Sequence, residues 1–106
     1  MRPCYDNIVS QITQLLWDEA NIAHVASHGV TMGEVEEVID DAKAVFLTSD
    51  SHRPGRIEAW GRTTSGRLLL VVLDAPTSNG HAYVVTARPM TVREKRDFEG
   101  DTNGQD

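Results

Sequence analysis

The sequence predicts an α+β fold: a small antiparallel sheet of four or five strands, with two helices before it and one after. Three observations point that way. Apolar residues recur at helical spacing over roughly the first forty residues and at a spacing of two from Val45 onward. Two Thr-x-x-Glu segments, Thr31 to Glu34 and Thr91 to Glu94, have capping-box spacing and mark helix starts. Helices first and strands grouped afterwards favour one sheet with helices on one side.

The elements follow in order. Residues 8–17 are ambiguous: Ile8, Ile12, Leu15 and Leu16 fit a helical face, and 12–17 equally fit a short edge strand. Asp18 suits a helix N-cap, with the helix running over 19–28 and Gly29 supplying the left-handed residue after it. The helix begun at Thr31 carries Val35, Val38 and Ile39 and should end near Asp41. Strands are expected over 45–48, 56–62, 67–73 and 81–88. Thr64-Ser65-Gly66 forms the hairpin turn between the second and third of these. Val71 and Val85 are expected in the core, with Val38 packed onto the sheet. Pro89 stops the last strand, because proline cannot donate to the ladder. A terminal helix reaches about Glu99. Residues 1–11 read as an N-terminal extension, 12–99 as one domain and 100–106 as a disordered tail.

Of the 106 residues, 40% are apolar, an ordinary globular proportion. A single cysteine, Cys4, excludes an internal disulfide or a cysteine-based zinc site, and a cytoplasmic setting is expected. No apolar run approaches membrane-spanning length. The net charge is −6 and is unevenly spread. Residues 1–50 hold two basic side chains against nine acidic ones, and residues 51–99 hold eight against five. The acidic whole argues against indiscriminate nucleic-acid binding, while its basic second half is compatible with one basic face.

That second half places Arg62 at one strand end, Arg67 at the start of its hairpin partner and Arg88 at the end of the last strand. Arginines at the ends of strands in one sheet can converge on a phosphate, which their planar forks meet two oxygens at a time. Read from the residues alone, each is more simply a solvated strand-end residue. His28 closes the first helix and is the best placed acid or base; a capping role suits it as well. Arg93 and Arg96 share a face of the terminal helix. His24 and His28 lie four apart, a zinc half-site, but spacing places no third ligand, so neither metal nor cofactor is expected. Asp50, Ser51 and His52 are consecutive, and adjacency does not make a triad. Trp17 and Trp60 are expected to pack against the sheet or core.

Several segments, taken together and in order, resemble the BrnT family of bacterial toxin ribonucleases. They are Trp17-Asp18-Glu19-Ala20-Asn21, His28-Gly29-Val30, Glu34-Val35 and Asp40-Asp41 in the first half. In the second half they are Gly61-Arg62, Gly66-Arg67-Leu68-Leu69, Ala87-Arg88 and Arg93-Glu94-Lys95-Arg96. The resemblance spans about residues 15–99, and Val85 to Pro89 resembles a branch with proline in place of a second arginine. It implies a RelE-like fold in which residues 12–17 form a strand. It implies RNA cleavage without a metal, with Arg62, Arg88 and His28 as catalytic residues and Arg67, Arg93 and Arg96 as RNA contacts. The implied partners are a cognate antitoxin, an RNA substrate and, through the antitoxin only, operator DNA; a homodimer is compatible, a membrane is not. The acidic composition and Pro89 favour a second reading, a non-catalytic toxin-like module acting as antitoxin partner or co-repressor. A metal-binding domain built on His24 and His28 is the third.

Overall fold

The computed structural model describes residues 12–49 and 55–103. The expectations for residues 1–11, for the Asp50-Ser51-His52 loop and for residues 104–106 lie outside them. The elements run β1 (Gln14–Leu16), α1 (Glu19–Ser27), α2 (Met32–Asp40), β2 (Val45–Ser49), β3 (Arg56–Arg62), β4 (Leu68–Leu73), β5 (His81–Pro89) and α3 (Val92–Asn103). The fold is α+β, as the change of period predicts. Its five strands lie in the order β1-β5-β4-β3-β2.

Two features of the sheet correct the expectation. β1 pairs with β5 in parallel, so the sheet is mixed rather than antiparallel. The strand reading of residues 12–17 holds for its centre, and α1 and α2 carry the chain from β1 across to β2 at the opposite edge of the sheet. The helices also do not all lie on one side. Cross-strand partners share a face, and the row Phe46, Ala59, Val71, Ala87 points to the layer of α1 and α2. The neighbouring row Val45, Trp60, Leu70, Arg88 points the other way. There Val45, Trp60 and Leu68 pack with Met90 and with Phe98 of α3. Trp60 is thus a sheet-face residue, as its aromatic bulk suggests.

The main core lies between the sheet and the first two helices. Val25, Val35, Val38, Leu69, Val71, Leu73 and Val84 are fully buried in it. Val38 sits on Gly61 of β3, where an added Cβ would stand 3.0 Å from the Val38 methyl and 3.1 Å from its carbonyl oxygen. Val85 is only half-buried, contrary to expectation. The β4–β5 register shifts there: Val72 faces Thr86 while Leu73 faces Val84, so Val85 is the extra residue of a bulge and Val84 takes the core position.

Asn21 ties three elements together and is itself buried. Its side-chain amide donates to the carbonyl oxygens of Leu16 (3.0 Å) and Val84 (2.9 Å), and its Oδ1 accepts from the Asp18 amide (2.8 Å). Asp18 returns a bond to the Asn21 amide, completing a capping box at α1. At the other end of the chain, α3 continues to Asn103, beyond the expected stop near Glu99, so the expected disordered tail is helical over 100–103. Pro89 does not end β5 before itself. It is the last strand residue, opposite Leu69, and the next donor in line is Met90, whose amide bonds the Leu68 carbonyl.

Candidate functional site

Arg62 and Arg88 lie on the α3 face of the sheet. Arg62 pairs with Leu68 and Arg88 with Leu70, so the two arginines flank β4 diagonally. Two strand spacings and one two-residue step put their Cα atoms roughly 12 Å apart. Both reach carboxylates of α3. Arg62 Nη2 lies 3.7 Å from Glu99 Oε2, with both side chains close to half exposed. Arg88 makes a two-pronged pair with Glu94, Nη1 to Oε1 at 2.7 Å and Nη2 to Oε2 at 2.8 Å.

Glu94 holds two jobs. It closes the second predicted capping box, accepting from the Thr91 amide (2.9 Å) while its own amide donates to Thr91 Oγ1 (3.1 Å). The Arg88 fork holds its carboxyl down to about 2; burial opposes the shift and the Thr91 amide assists it.

The first capping box repeats this arrangement. Glu34 accepts from the Thr31 amide and from a single nitrogen of Arg67, Nη1, which lies 3.0 and 2.9 Å from its two carboxylate oxygens. The Arg67 bond is the largest cause of Glu34's lowered pKa. The same Nη1 donates to the carbonyl of Gly29 (2.9 Å). Arg67 lies in the turn just before β4, not at the strand's first position, and its amide donates to Thr63 Oγ1.

His28 belongs to this second assembly. It is the C-cap of α1, whose end is a Schellman motif: Gly29 (φ 77°) donates to Ala26 O and Val30 donates to Val25 O. Val25 and Val30, the apolar pair that accompanies such a motif, are both buried. His28 is exposed and its ring meets that of His24 edge to face, with centroids 5.1 Å apart.

The candidate residues therefore fall into three places. Arg62 and Arg88 lie on the α3 face. His28 and Arg67 lie together in the layer of α1 and α2, on the other face. Arg93 and Arg96 precede Phe98 by five and two positions, which turns them about 140–160° away from it around the helix. Both are exposed, with no ion-pair partner among the described residues. The groups on the Arg62 and Arg88 side chains are the carboxylates of Glu99 and Glu94 rather than an imidazole, and Asp41 Oδ2 accepts from the Arg62 amide (2.9 Å); the Glu58 charge acts on Arg88, and Glu58 Oε1 accepts from Trp60 Nε1 (3.1 Å). The partnering role of Glu34, Glu94 and Glu99 is what sequence reasoning missed. Capping-box spacing shows the first duty of Glu34 and Glu94, but nothing local reveals an arginine brought in from the sheet.

No protein-family model matches the chain, and no curated protein matches it.

Proposed function

We propose that this chain is the toxin component of a toxin–antitoxin pair and acts on RNA through the sheet face that carries Arg62 and Arg88. The observation that carries the reading is their placement on one face of one sheet, flanking β4 and both reaching the same helix. Attack by a ribose 2′-oxygen builds negative charge on the phosphorus oxygens, and two guanidinium groups held by a rigid sheet are suited to stabilising it. For RNA to enter, the phosphodiester must displace the carboxylates of α3. The loose, exposed Arg62–Glu99 pair yields easily, since such pairs contribute little. Glu58, whose charge acts on Arg88, is then a neighbouring carboxylate able to accept a proton. A cytoplasmic setting and a cognate antitoxin belong to the same reading.

One observation favours the second reading. The Arg88–Glu94 pair is two-pronged and part-buried, and it also caps α3, which is the signature of a structural clamp. A chain that keeps Arg88 in that state is a toxin-like binding module without catalysis. Inducible expression in bacteria, with growth and total RNA followed in parallel, separates the two. Growth arrest with RNA loss is the result expected of the toxin; harmless expression of folded protein overturns it in favour of the binding module.

A further inference from the structure

We propose that His24 and His28 form a surface site for one borderline divalent transition-metal ion, with zinc or nickel as the fitting class. The site is separate from Arg62 and Arg88 and independent of the RNA reading above.

The geometry carries the argument. A zinc–imidazole nitrogen bond is about 2.0–2.1 Å, and a ring nitrogen lies about 1.15 Å from its ring centroid, so a bound ion sits about 3.2 Å from each centroid. Two centroids 5.1 Å apart then subtend about 105° at the ion, close to the tetrahedral angle zinc adopts. The two rings are therefore within reach of one ion, and the change needed is rotation of two exposed side chains about their own bonds. Neither imidazole has a hydrogen-bond partner to lose among the described residues. The rings need not become coplanar, but the edge-to-face contact, at 82° between planes, must open so that each ring aims a nitrogen at the ion in its own plane.

The platform is rigid. His24 stands in the last turn of α1, and its carbonyl accepts from Ser27 Oγ (2.5 Å). The Schellman motif fixes the backbone of His28 through the buried Val25 and Val30. Holding both ligands before the ion arrives lowers the ordering cost of binding. The charge environment also suits a cation. The C-terminal end of a helix is the negative end of its dipole, and the nearby Arg67 guanidinium is already neutralised by both oxygens of Glu34. Among the described residues no third His, Cys, Asp or Glu joins the pair, so water fills the remaining positions. A nitrogen-only, water-completed site selects zinc, nickel or copper over the hard ions magnesium and calcium, which need oxygen ligands.

The test is titration of the full chain with Zn2+, and separately with Ni2+ and Mg2+, followed by calorimetry and by the imidazole NMR signals. The expected result is one Zn2+ per chain, with the His24 and His28 signals moving together and those of His81 unmoved. His24→Ala and His28→Asn should each weaken binding at least tenfold; Asn keeps a polar residue at the C-cap, and circular dichroism checks that α1 survives. Mg2+ should not bind there. Zinc binding that persists in the double variant, or imidazole signals of His24 and His28 that stay still at millimolar zinc, overturns the proposal. Loss of toxicity or its retention in these variants bears only on the RNA reading, so the two can fail separately.

Discussion

The guanidinium of Arg88 and the carboxylate of Glu94 meet through two near-parallel bonds of 2.7 and 2.8 Å, joining the last strand to the first turn of α3. Arg67 and Glu34 make a corresponding tie between the β3–β4 turn and the first turn of α2, through the single nitrogen Nη1, which reaches both carboxylate oxygens. In both cases the glutamate is the N3 residue of a capping box. One side chain thus satisfies the helix's free amides and fixes the helix to the sheet.

That double duty gives a pH signature. Glu94 is held at about 2 in the folded chain against an ordinary 4.5, and Glu34 is lowered as well. A depressed carboxyl stabilises the fold fully above its unfolded pKa and loses that stabilisation as pH falls through the folded value. Stability should therefore decline from about pH 4.5 toward pH 2. Glu94→Gln keeps the cap but removes the charge, and should cost about 1–2 kcal/mol at pH 7 after allowance for the part-exposed arginine. Its stability deficit should shrink on acidification. Thermal melts of both proteins from pH 7 to pH 2 measure this, and a deficit that stays constant with pH would show that Glu94's charge is not what matters.

A second prediction concerns the contact of α2 with β3. Gly61 has no left-handed backbone to protect; its need is space, since an added methyl would stand 3.0 Å from a Val38 methyl, 3.1 Å from the Val38 carbonyl and 3.3 Å from Ala44 Cβ. Two of these three neighbours are backbone or the Cβ of a short side chain, so the helix must move. Gly61→Ala should destabilise by about 1–3 kcal/mol, as overpacking does. The double variant Gly61→Ala with Val38→Ala should lose less than the sum of the two single losses, since removing the buried Val38 methyls relieves one clash at its own cost while the Val38 carbonyl stays in the way. A chemical-denaturation series checks both, and an unchanged midpoint for Gly61→Ala would mean the helix yields at no cost.

Asn21 supplies a third. Removing its amide leaves the carbonyls of Leu16 and Val84 without their donor where β1, α1 and β5 meet. Each buried acceptor left unpaired costs about 1–3 kcal/mol. Asn21→Leu, of similar size, should cost at least 2 kcal/mol, and hydrogen exchange should quicken first in β1. Asn21→Asp should be nearly as harmful, since a carboxylate offers no donor to either carbonyl. Wild-type melting in either variant would place the tie between β1 and the core elsewhere.

Much of the fold could be read from local patterns because local physics dictates it. Thr31 and Thr91 cap helices where their spacing to glutamate says they should, Gly29 takes the left-handed position after α1, and Gly66 (φ 98°) turns the β3–β4 hairpin. What stayed hidden depends on tertiary partners. The parallel pairing of β1 with β5 has no local signal, because residues 14–16 show only that they can form a strand. The placement of α3 on the far face is written in Trp60, Leu68 and Phe98 only once the strand register is known. Val85 fails as a core residue because a bulge shifts the alternation by one, and a strictly alternating reading cannot place a bulge. The candidate site was legible as a set of arginines but not as an arrangement. Charge type is local, whereas the carboxylates that hold Arg62, Arg67 and Arg88 come from elements far along the chain or turned toward them only by packing.

The last prediction decides the role of Arg62 and Arg88. If the α3 face cuts RNA, Arg62→Ala and Arg88→Ala should each lower toxicity strongly while the domain stays folded. The extra phosphorane charge exists only in the transition state, so a positioned guanidinium lowers the barrier more than it tightens substrate binding. Loss of one such contact should cost on the order of a hundredfold in rate, by analogy with oxyanion donors. Lysine at either position should rescue only partly, since it offers a point charge and no fork. The carboxylates make the test sharper. Glu99 competes with phosphate for Arg62 through an exposed pair, so Glu99→Gln should raise cleavage of a short RNA, chiefly by lowering KM, in protein whose melting is measured alongside. Arg88→Ala removes the clamp on α3 as well, so it needs a comparison that separates clamp from catalyst. Glu94→Gln weakens the same clamp but leaves the guanidinium in place. A catalytic Arg88 predicts that Glu94→Gln stays toxic and Arg88→Ala does not, at matched melting temperatures. A purely structural Arg88 predicts that toxicity tracks stability through both variants, and that outcome assigns the pair to the fold and leaves Arg62 alone as the phosphate contact.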